Sequence, residues 1–574
     1  MDIQQLSGPI VVGLFIAFFG TSLVIAMRIS KKSENADSYM TAGGNIGFGI
    51  SSASMTATWI WAASMYASAT SGFTYGISGP IHYGLWGALM ILLIYPFGRR
   101  IRQVAPRAHT IAEVMFARHG RSSQLLLAGS NILGSIISLT ANLIAGGALI
   151  DMLSPFSFTQ GIVAIAGGIL LYTLWSGFRA SVLTDFVQVV FMLGAVVIII
   201  PVVFFSAGGP EMFTTGAANL TNEQSNFFSS EAFFNQGAPY IAAVLAYAIG
   251  NQTIAQRLFA VREDLIKKTF VTATFGYGST IIGIGMLGVI ALYAGVTPLD
   301  DDVNNLIPQM AATYLSPALL CLFFIMIIGS LSSTADADLT ALASIVMADV
   351  YGQQVGRTKA DPAKMVLIGR ITMIVAISAA LYFAGSDLNI LDLLVFVGAL
   401  WGALVFPVIA SFYWDRVTNV AFSVAVVAAL ALFLPVRFSW IDMSGAVGVT
   451  FDVLATVGIG VVFALMAFGF FGLRVAVVVG VVSTLAAAPW SIGLLHDYAV
   501  LSGSLVSYSV STIVCVALTM LNRRRRFDFA EIAHTTGDFD DRGDAALPEA
   551  AEPSPADSRG DEPLSAAAVS GKDD

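Results

Sequence analysis

Long apolar runs broken by short polar stretches recur along the chain from residue 8 to residue 521. Each run holds about 20 residues, which at about 1.5 Å per residue crosses the roughly 30 Å hydrocarbon layer of a bilayer as one helix. In order, the runs predict about 15 spans, the first over 8–27 and the last over 500–521. The segment 313–348 is longer than one crossing, and 46–75 carries an unusual density of small and polar residues. The first run is too long for the apolar region of a cleavable signal and is expected to remain as a span.

Composition agrees with the pattern: 56% of the residues are apolar and 11% charged, where soluble chains carry about 25% charged residues. A soluble protein is excluded, and an all-α polytopic membrane protein is expected. The net charge of −9 is concentrated at the C-terminus, because 523–574 hold thirteen acids and seven bases and so leave −3 for the rest. The one dense basic cluster, Arg523 to Arg526, directly follows an apolar run and reads as a membrane-edge anchor rather than a nucleic-acid surface. Beyond Phe527 the tail is so poor in large apolar residues that no packed structure is expected there.

Basic residues fix the expected orientation, since Lys and Arg are retained on the cytoplasmic side. With the N-terminus outside, the groups around Arg28, Arg99, Arg118, Arg179, Arg257, Lys267, Arg357, Arg416 and Arg474 all fall inside, and Arg437 is the exception. A multi-pass plasma-membrane protein with a cytoplasmic C-terminus follows. External loops at about 207–238 and 297–312 read as lids or surface loops.

Cys321 and Cys515 both lie in apolar runs and supply neither a disulfide framework nor a structural zinc site. The five histidines are scattered, and there is no Gly-x-x-x-x-Gly-Lys-Ser/Thr loop or His-Glu-x-x-His helix. An enzyme is not indicated, so energy would come from an ion gradient, or the chain is a passive pore.

Ionisable groups at mid-membrane are expensive and mark function. Asp336 and Asp338 lie deep in 313–348, and Asp185 sits near the start of its span. Residues three or four apart share a helix face, so Ser333 aligns with Asp336 and Thr334 with Asp338. Hydroxyl, carboxylate and carbonyl oxygens are what a hard cation such as Na⁺ favours; the alternative is that the hydroxyls bond back to carbonyls one turn earlier. Asp185 could instead cap its helix start. The run Ser51-Ser-Ala-Ser-Met-Thr-Ala-Thr58 before Trp59 and Trp61 suits a helix interrupted at mid-membrane, and Tyr247-Ala-Ile-Gly-Asn-Gln252 suits a second break. Trp59, Trp61 and Tyr247 read either as solute walls or as core aromatics.

Several stretches carry a family resemblance: Trp59-Ile-Trp-Ala-Ala63, Tyr75-Gly-Ile-Ser-Gly-Pro80, Ala105-Pro-Arg-Ala-His-Thr110, Ala117-Arg-His-Gly120, Trp175-Ser-Gly-Phe-Arg-Ala180, Gly250-Asn-Gln-Thr-Ile-Ala-Gln-Arg257, and Ser332-Ser-Thr through Asp349-Val-Tyr351. Together they resemble the sodium:solute symporter family, most of all its urea active transporter branch. The resemblance implies a LeuT-type core of two inverted five-helix repeats over 46–206 and 239–412. An N-terminal helix and loop (1–45) would precede it, with four peripheral helices (413–522) and the tail (523–574) after it. It places a sodium site on the carbonyls of Ala57, Ile60 and Ser330 and the hydroxyls of Ser333 and Thr334. Asp185 would match an acid used for a second cation, and Tyr247 an inner-gate aromatic. Two departures matter: the urea branch lacks an acid at the place of Asp185, and Asp336 is an additional carboxylate. Repulsion between the two would favour sharing a proton or holding a second cation.

The expected function is therefore secondary active symport of Na⁺ with a small polar solute, urea being one candidate whose transfer from the family the two departures weaken. Thr58, Trp59, Trp61, Tyr247, Asn251, Gln252 and Asp338 would line the solute site, with Asp185 and Asp336 available to a second cation or proton. The alternatives are proton-coupled symport of another small solute, such as acetate or proline, or an uncoupled facilitator or channel. The bilayer is the only other partner expected.

Overall fold

The computed structural model describes residues 4–29, 36–356, 360–386, 388, 390–438, 440–522, 526–537 and 539. In lipid the backbone must satisfy its own polar groups, and among the described residues the chain is helical, with one isolated bridge between Ile46 and Val261. The long helices are α1 (Gly8–Ile29), α2 (Phe48–Trp59), α3 (Ala62–Tyr75), α4 (Ser78–Val104), α5 (Ile111–His119), α6 (Arg121–Leu153), α7 (Phe158–Ser206) and α8 (Ala238–Gly250). They continue as α9 (Gln252–Ala260), α10 (Ile266–Tyr293), α11 (Pro317–Ile345), α12 (Pro362–Ala384), α13 (Ile390–Tyr413), α14 (Asn419–Arg437), α15 (Gly445–Ser491) and α16 (Ala499–Leu521). Twelve helices among the described residues are long and apolar enough to cross a membrane.

Two helices contain reversals. In α7, Gly177 adopts φ 55°, a left-handed value only glycine takes freely, and an added Cβ would lie 2.7 Å from the Tyr39 ring. Tyr172 and Ser181, on either side of it, both reach Asp336, so the two arms run side by side. In α15, Gly472 has φ 76°, and a Cβ on Gly460 would come within 2.6 Å of the Gly480 carbonyl, so these arms also fold back onto each other.

Two crossings are interrupted. The chain leaves the helix at Ile60 (φ −86°, ψ 84°) and Trp61 (φ −78°, ψ 142°) between α2 and α3. It does so again at Asn251 (φ −91°, ψ 132°) between α8 and α9, where the Asn251 side chain caps the new helix by accepting from the Thr253 N–H.

Part of the tail departs from expectation. Phe527 N donates to the Asp415 carbonyl at 3.0 Å, and its ring lies 4.1 Å from the Arg118 guanidinium. Burial lowers Arg118 to about 10, still charged at neutral pH. Ile532 and Phe539 are buried, and a short helix spans Ala530–Thr535. Composition averaged over the tail conceals these few apolar anchors. The rest of the segment expected to lack structure, 523–525, 538 and 540–574, lies outside the described residues.

Candidate functional site

Helix α11 brings its hydroxyls to the first break. Ser330 Oγ donates to the Ile60 carbonyl at 2.6 Å, joining positions 270 residues apart in sequence. Ser330, Ser333 and Thr334 are all buried. Thr334 Oγ1 bonds back to the Ser330 carbonyl at 3.2 Å, while the Ala57 carbonyl accepts from the Ile60 N–H at 3.1 Å. Of the five residues expected to hold sodium, Ile60 and Ser330 therefore touch directly, Ala57 and Thr334 bond within their own helical segments, and Ser333 turns to Asp185. The donor set is oxygen throughout, the chemistry a hard cation takes.

Asp185 and Asp336 belong to one buried cluster. Asp185 accepts from Ser333 Oγ at 2.5 Å and from Ser54 Oγ at 2.6 Å, and pairs with Arg257 Nη2 at 3.0 Å. Arg257 Nε donates to Ser54 Oγ at 2.9 Å. Asp336 accepts from Ser181 Oγ at 2.5 Å and from the Tyr172 hydroxyl at 2.7 Å, and Ser181 is 3.4 Å from Arg257 Nη2. Arg257, counted from the sequence among the charges on the cytoplasmic side, is 4% exposed and lies one and a half turns into α9 from the break, inside this cluster. Its position after the Gly250-Asn251 interruption was the available signal.

Tyr247 is the hub of an aromatic group. Its ring centroid lies 4.9 Å from Trp59, 5.2 Å from Trp61 and 5.1 Å from Trp401. Trp61 Nε1 donates to the Thr58 carbonyl at 2.9 Å, and Thr58 Oγ1 to the Ser54 carbonyl at 2.8 Å. The indole N–H groups of Trp59 and Trp401, and Asn251 Nδ2, are buried with no partner among the described residues. Leaving a buried donor unpaired costs about 1–3 kcal/mol, so these three donors fit a ligand that presents an acceptor oxygen. Trp401 was invisible within an apolar run; Gly134 and Gly250 leave the space its ring fills.

Other expected solute residues are engaged by the protein. Asp338 accepts from Ser135 at 2.9 Å and Ser138 at 2.6 Å. The Gln252 amide accepts from Ile111 N at 3.0 Å and donates to the His109 carbonyl at 2.8 Å. The partners of Asp338 lie on a polar stripe of α6 that sequence reading missed: Asn131, Ser135, Ser138 and Asn142. Its spacing of four, three and four residues, readable in advance, keeps all four on one helix face. Asn131 grips the second break, accepting from Gln252 N at 2.6 Å and donating to the Gly250 carbonyl at 2.8 Å. Asn142 Oδ1 accepts from Ala63 N at 3.3 Å, just past the first break.

A further polar knot closes one end of the bundle. Asp349 accepts from Thr110 Oγ1 at 2.7 Å and Gln124 Nε2 at 2.8 Å, and His109 Nε2 lies 2.8 Å from Asp37. Phe539 N also donates to Asp37, at 2.9 Å, which ties the tail to this knot.

Comparison with known proteins gives concordant results. The profile of the sodium:solute symporter family matches residues 39–428. A probable urea active transporter 1 of Schizosaccharomyces pombe is 22% identical, over 78% of this chain and 71% of its own length. The urea-proton symporter DUR3 of Oryza sativa subsp. japonica is 23% identical, over 73% of this chain and 63% of its own. Among solved structures, a Na⁺-coupled sialic acid symporter in a substrate-bound outward-open state aligns with a TM-score of 0.65 at 16% identity, covering 83% of this chain and 98% of that one. At that identity the shared feature is the fold, which is of the LeuT type. Because the matched stretch contains both interrupted crossings, the α11 hydroxyls and the aromatic group, the chain belongs to the sodium:solute symporter family and is a multi-span membrane transporter rather than an enzyme.

Proposed function

We propose that this protein couples inward movement of Na⁺ to uptake of a small polar solute by alternating access. The observation that carries the reading is the Ser330–Ile60 hydrogen bond, which sets α11 oxygens against the freed carbonyls of the first break. A sodium ion there, on Ala57, Ile60, Ser330, Ser333 and Thr334, would tie α2 to α11 and favour the outward-open state. That preference is the source of coupling, since a ligand shifts an equilibrium only by its differential affinity.

The inverted repeats are assigned to 46–206 and 239–412. Adding α13, the broken α2–α3 crossing and the second arm of α15 to the twelve long apolar helices gives about 15 crossings, with the N-terminus outside and the C-terminus in the cytoplasm.

The solute sits at the aromatic group, walled by Trp59, Trp61, Tyr247 and Trp401. The N–H groups of Trp59, Trp401 and Asn251, unpartnered among the described residues, suit an acceptor oxygen, which urea, acetate and proline all present, so the site geometry alone does not choose among them. The urea transporters among the relatives favour urea.

Proton coupling is the second reading. Among the described residues Asp336 is met by hydroxyls alone, whereas Asp185 has Arg257, and one relative is described as a urea-proton symporter.

The test is uptake of urea, acetate and proline into vesicles holding the full protein, under a sodium gradient, a proton gradient or neither. Sodium-driven accumulation of urea is expected. Accumulation driven by protons alone would transfer the assignment to the second reading, and downhill flux indifferent to both ions would show an uncoupled facilitator.

A further inference from the structure

A cavity of about 610 Å³ opens among α13, the two arms of α15 and α16, a size typical of small-molecule sites at roughly 300–1,000 Å³. Its walls include Phe406, Ile409, Val461, Leu465, Val477 and Val516. Thr512, the one hydroxyl-bearing aliphatic residue of the lining, already donates to the Tyr508 carbonyl at 2.8 Å. The walls thus offer an occupant dispersion and burial and almost no polar recognition.

The lining of the slot runs along the first arm of α15 from Val461 to Phe468 and onto the second arm at Leu473. From the Gly472 reversal to Val461 is about 11 residues, or roughly 16 Å of helix, close to the 15 Å or so of one hydrocarbon leaflet. Its outer end is marked by Tyr413, Trp414, Leu473 and Met520, aromatic and apolar residues at the level where helices end.

Arginines stand next to that end. Arg416 lies two residues beyond Trp414 and Arg474 directly follows Leu473; both are exposed, and neither has a hydrogen bond or ion pair among the described residues. The nearby acid, Asp415, is already approached by Arg526 at 3.6 Å. The rim of this apolar slot, one leaflet deep, therefore carries two positive charges that are uncompensated among the described residues.

We infer that this slot holds an anionic glycerophospholipid, with an acyl chain between α13, α15 and α16 and the phosphate on Arg416 and Arg474. A free phosphate would leave the apolar slot unused, and a zwitterionic lipid such as phosphatidylcholine would bring its own ammonium cation beside the two guanidinium groups. A second copy of the chain docked by two-fold symmetry would bring its own exposed arginines to the same rim. In the proposed orientation the lipid belongs to the cytoplasmic leaflet.

The experiment is native mass spectrometry of the full protein in detergent, titrated with phosphatidylglycerol or with phosphatidylcholine of identical acyl chains. A basic side chain near an anionic surface is worth about fivefold in binding, so the two together are expected to favour phosphatidylglycerol by about 25-fold. Arg416→Gln with Arg474→Gln, both at exposed positions, should reduce the preference to near parity. Val477→Trp, which fills the slot from a half-exposed wall, should reduce retention of both lipids while leaving the arginines intact. Equal retention of the two lipids by the unaltered protein, or a preference that survives the double arginine change, overturns the inference. So does a protein dimer that forms through this face and expels the lipid.

Discussion

The two interrupted crossings are alike in backbone and opposite in how they are held. At the second, Asn131 takes both the Gln252 N–H and the Gly250 carbonyl, and the Gln252 side chain adds bonds to Ile111 and His109. At the first, the Ile60 carbonyl has one hydroxyl, that of Ser330. An amide gripping two points fixes orientation. A hydroxyl both donates and accepts, so it can turn its oxygen to a cation when one arrives. The contrast makes the second break a fixed joint and leaves the first free to respond to the sodium ion proposed there. Helix α6 serves both with one stripe of polar residues, so the joints are registered on a common ruler.

The largest expected effect lies between them, at the Arg257–Asp185 pair. Breaking a buried ion pair from one side costs about 3–5 kcal/mol. Arg257→Met should therefore lower the unfolding midpoint of the detergent-solubilised protein sharply, and combining it with Asp185→Asn should recover much of the loss. Next is Asn131→Leu, which strips the amide from the second break; a destabilisation of about 1–3 kcal/mol is expected, with the sodium dependence of uptake unchanged. A shift in sodium dependence there would erase the distinction between fixed and responsive breaks. Ser333→Ala with Thr334→Ala should instead raise the sodium concentration for half-maximal uptake about tenfold, equivalent to about 1.4 kcal/mol, with a stability cost of about 1–3 kcal/mol because Asp185 loses the Ser333 hydroxyl. The smallest effect is reserved for Trp401→Phe. It keeps an aromatic face but removes the N–H together with part of the bicyclic indole, so the solute concentration for half-maximal uptake should rise at least about fivefold, the worth of one hydrogen bond of about 1 kcal/mol, without altering that for sodium.

Much of the architecture was readable in advance, because a bilayer imposes length and apolarity on each crossing. The small and polar residues of 51–58 and the Gly250-Asn251 pair flagged both interruptions, and Asp185, Asp336, Ser333 and Thr334 stood out as costly polar groups. What escaped had a physical disguise. Arg257 counts as an ordinary cytoplasmic charge until α9 is seen to carry it inward. Trp401 is one aromatic residue in an apolar helix until Gly134 and Gly250 open a space beside Tyr247. Phe527, Ile532 and Phe539 are diluted by an acidic tail, yet each finds a buried or stacked place on the bundle.

By itself, then, the sequence determined which segments are long and apolar enough to cross a membrane, where their backbone gives way and which oxygens are costly to bury, since these depend on local composition and helix periodicity. Only the tertiary structure decided which partner each buried group receives. Asp185 meets Arg257, whereas Asp336 meets Tyr172 and Ser181, and Asp338 turns to α6. Such pairings join residues up to hundreds of positions apart, and they are selected by packing and by the need to satisfy every polar group at once, which no local pattern records.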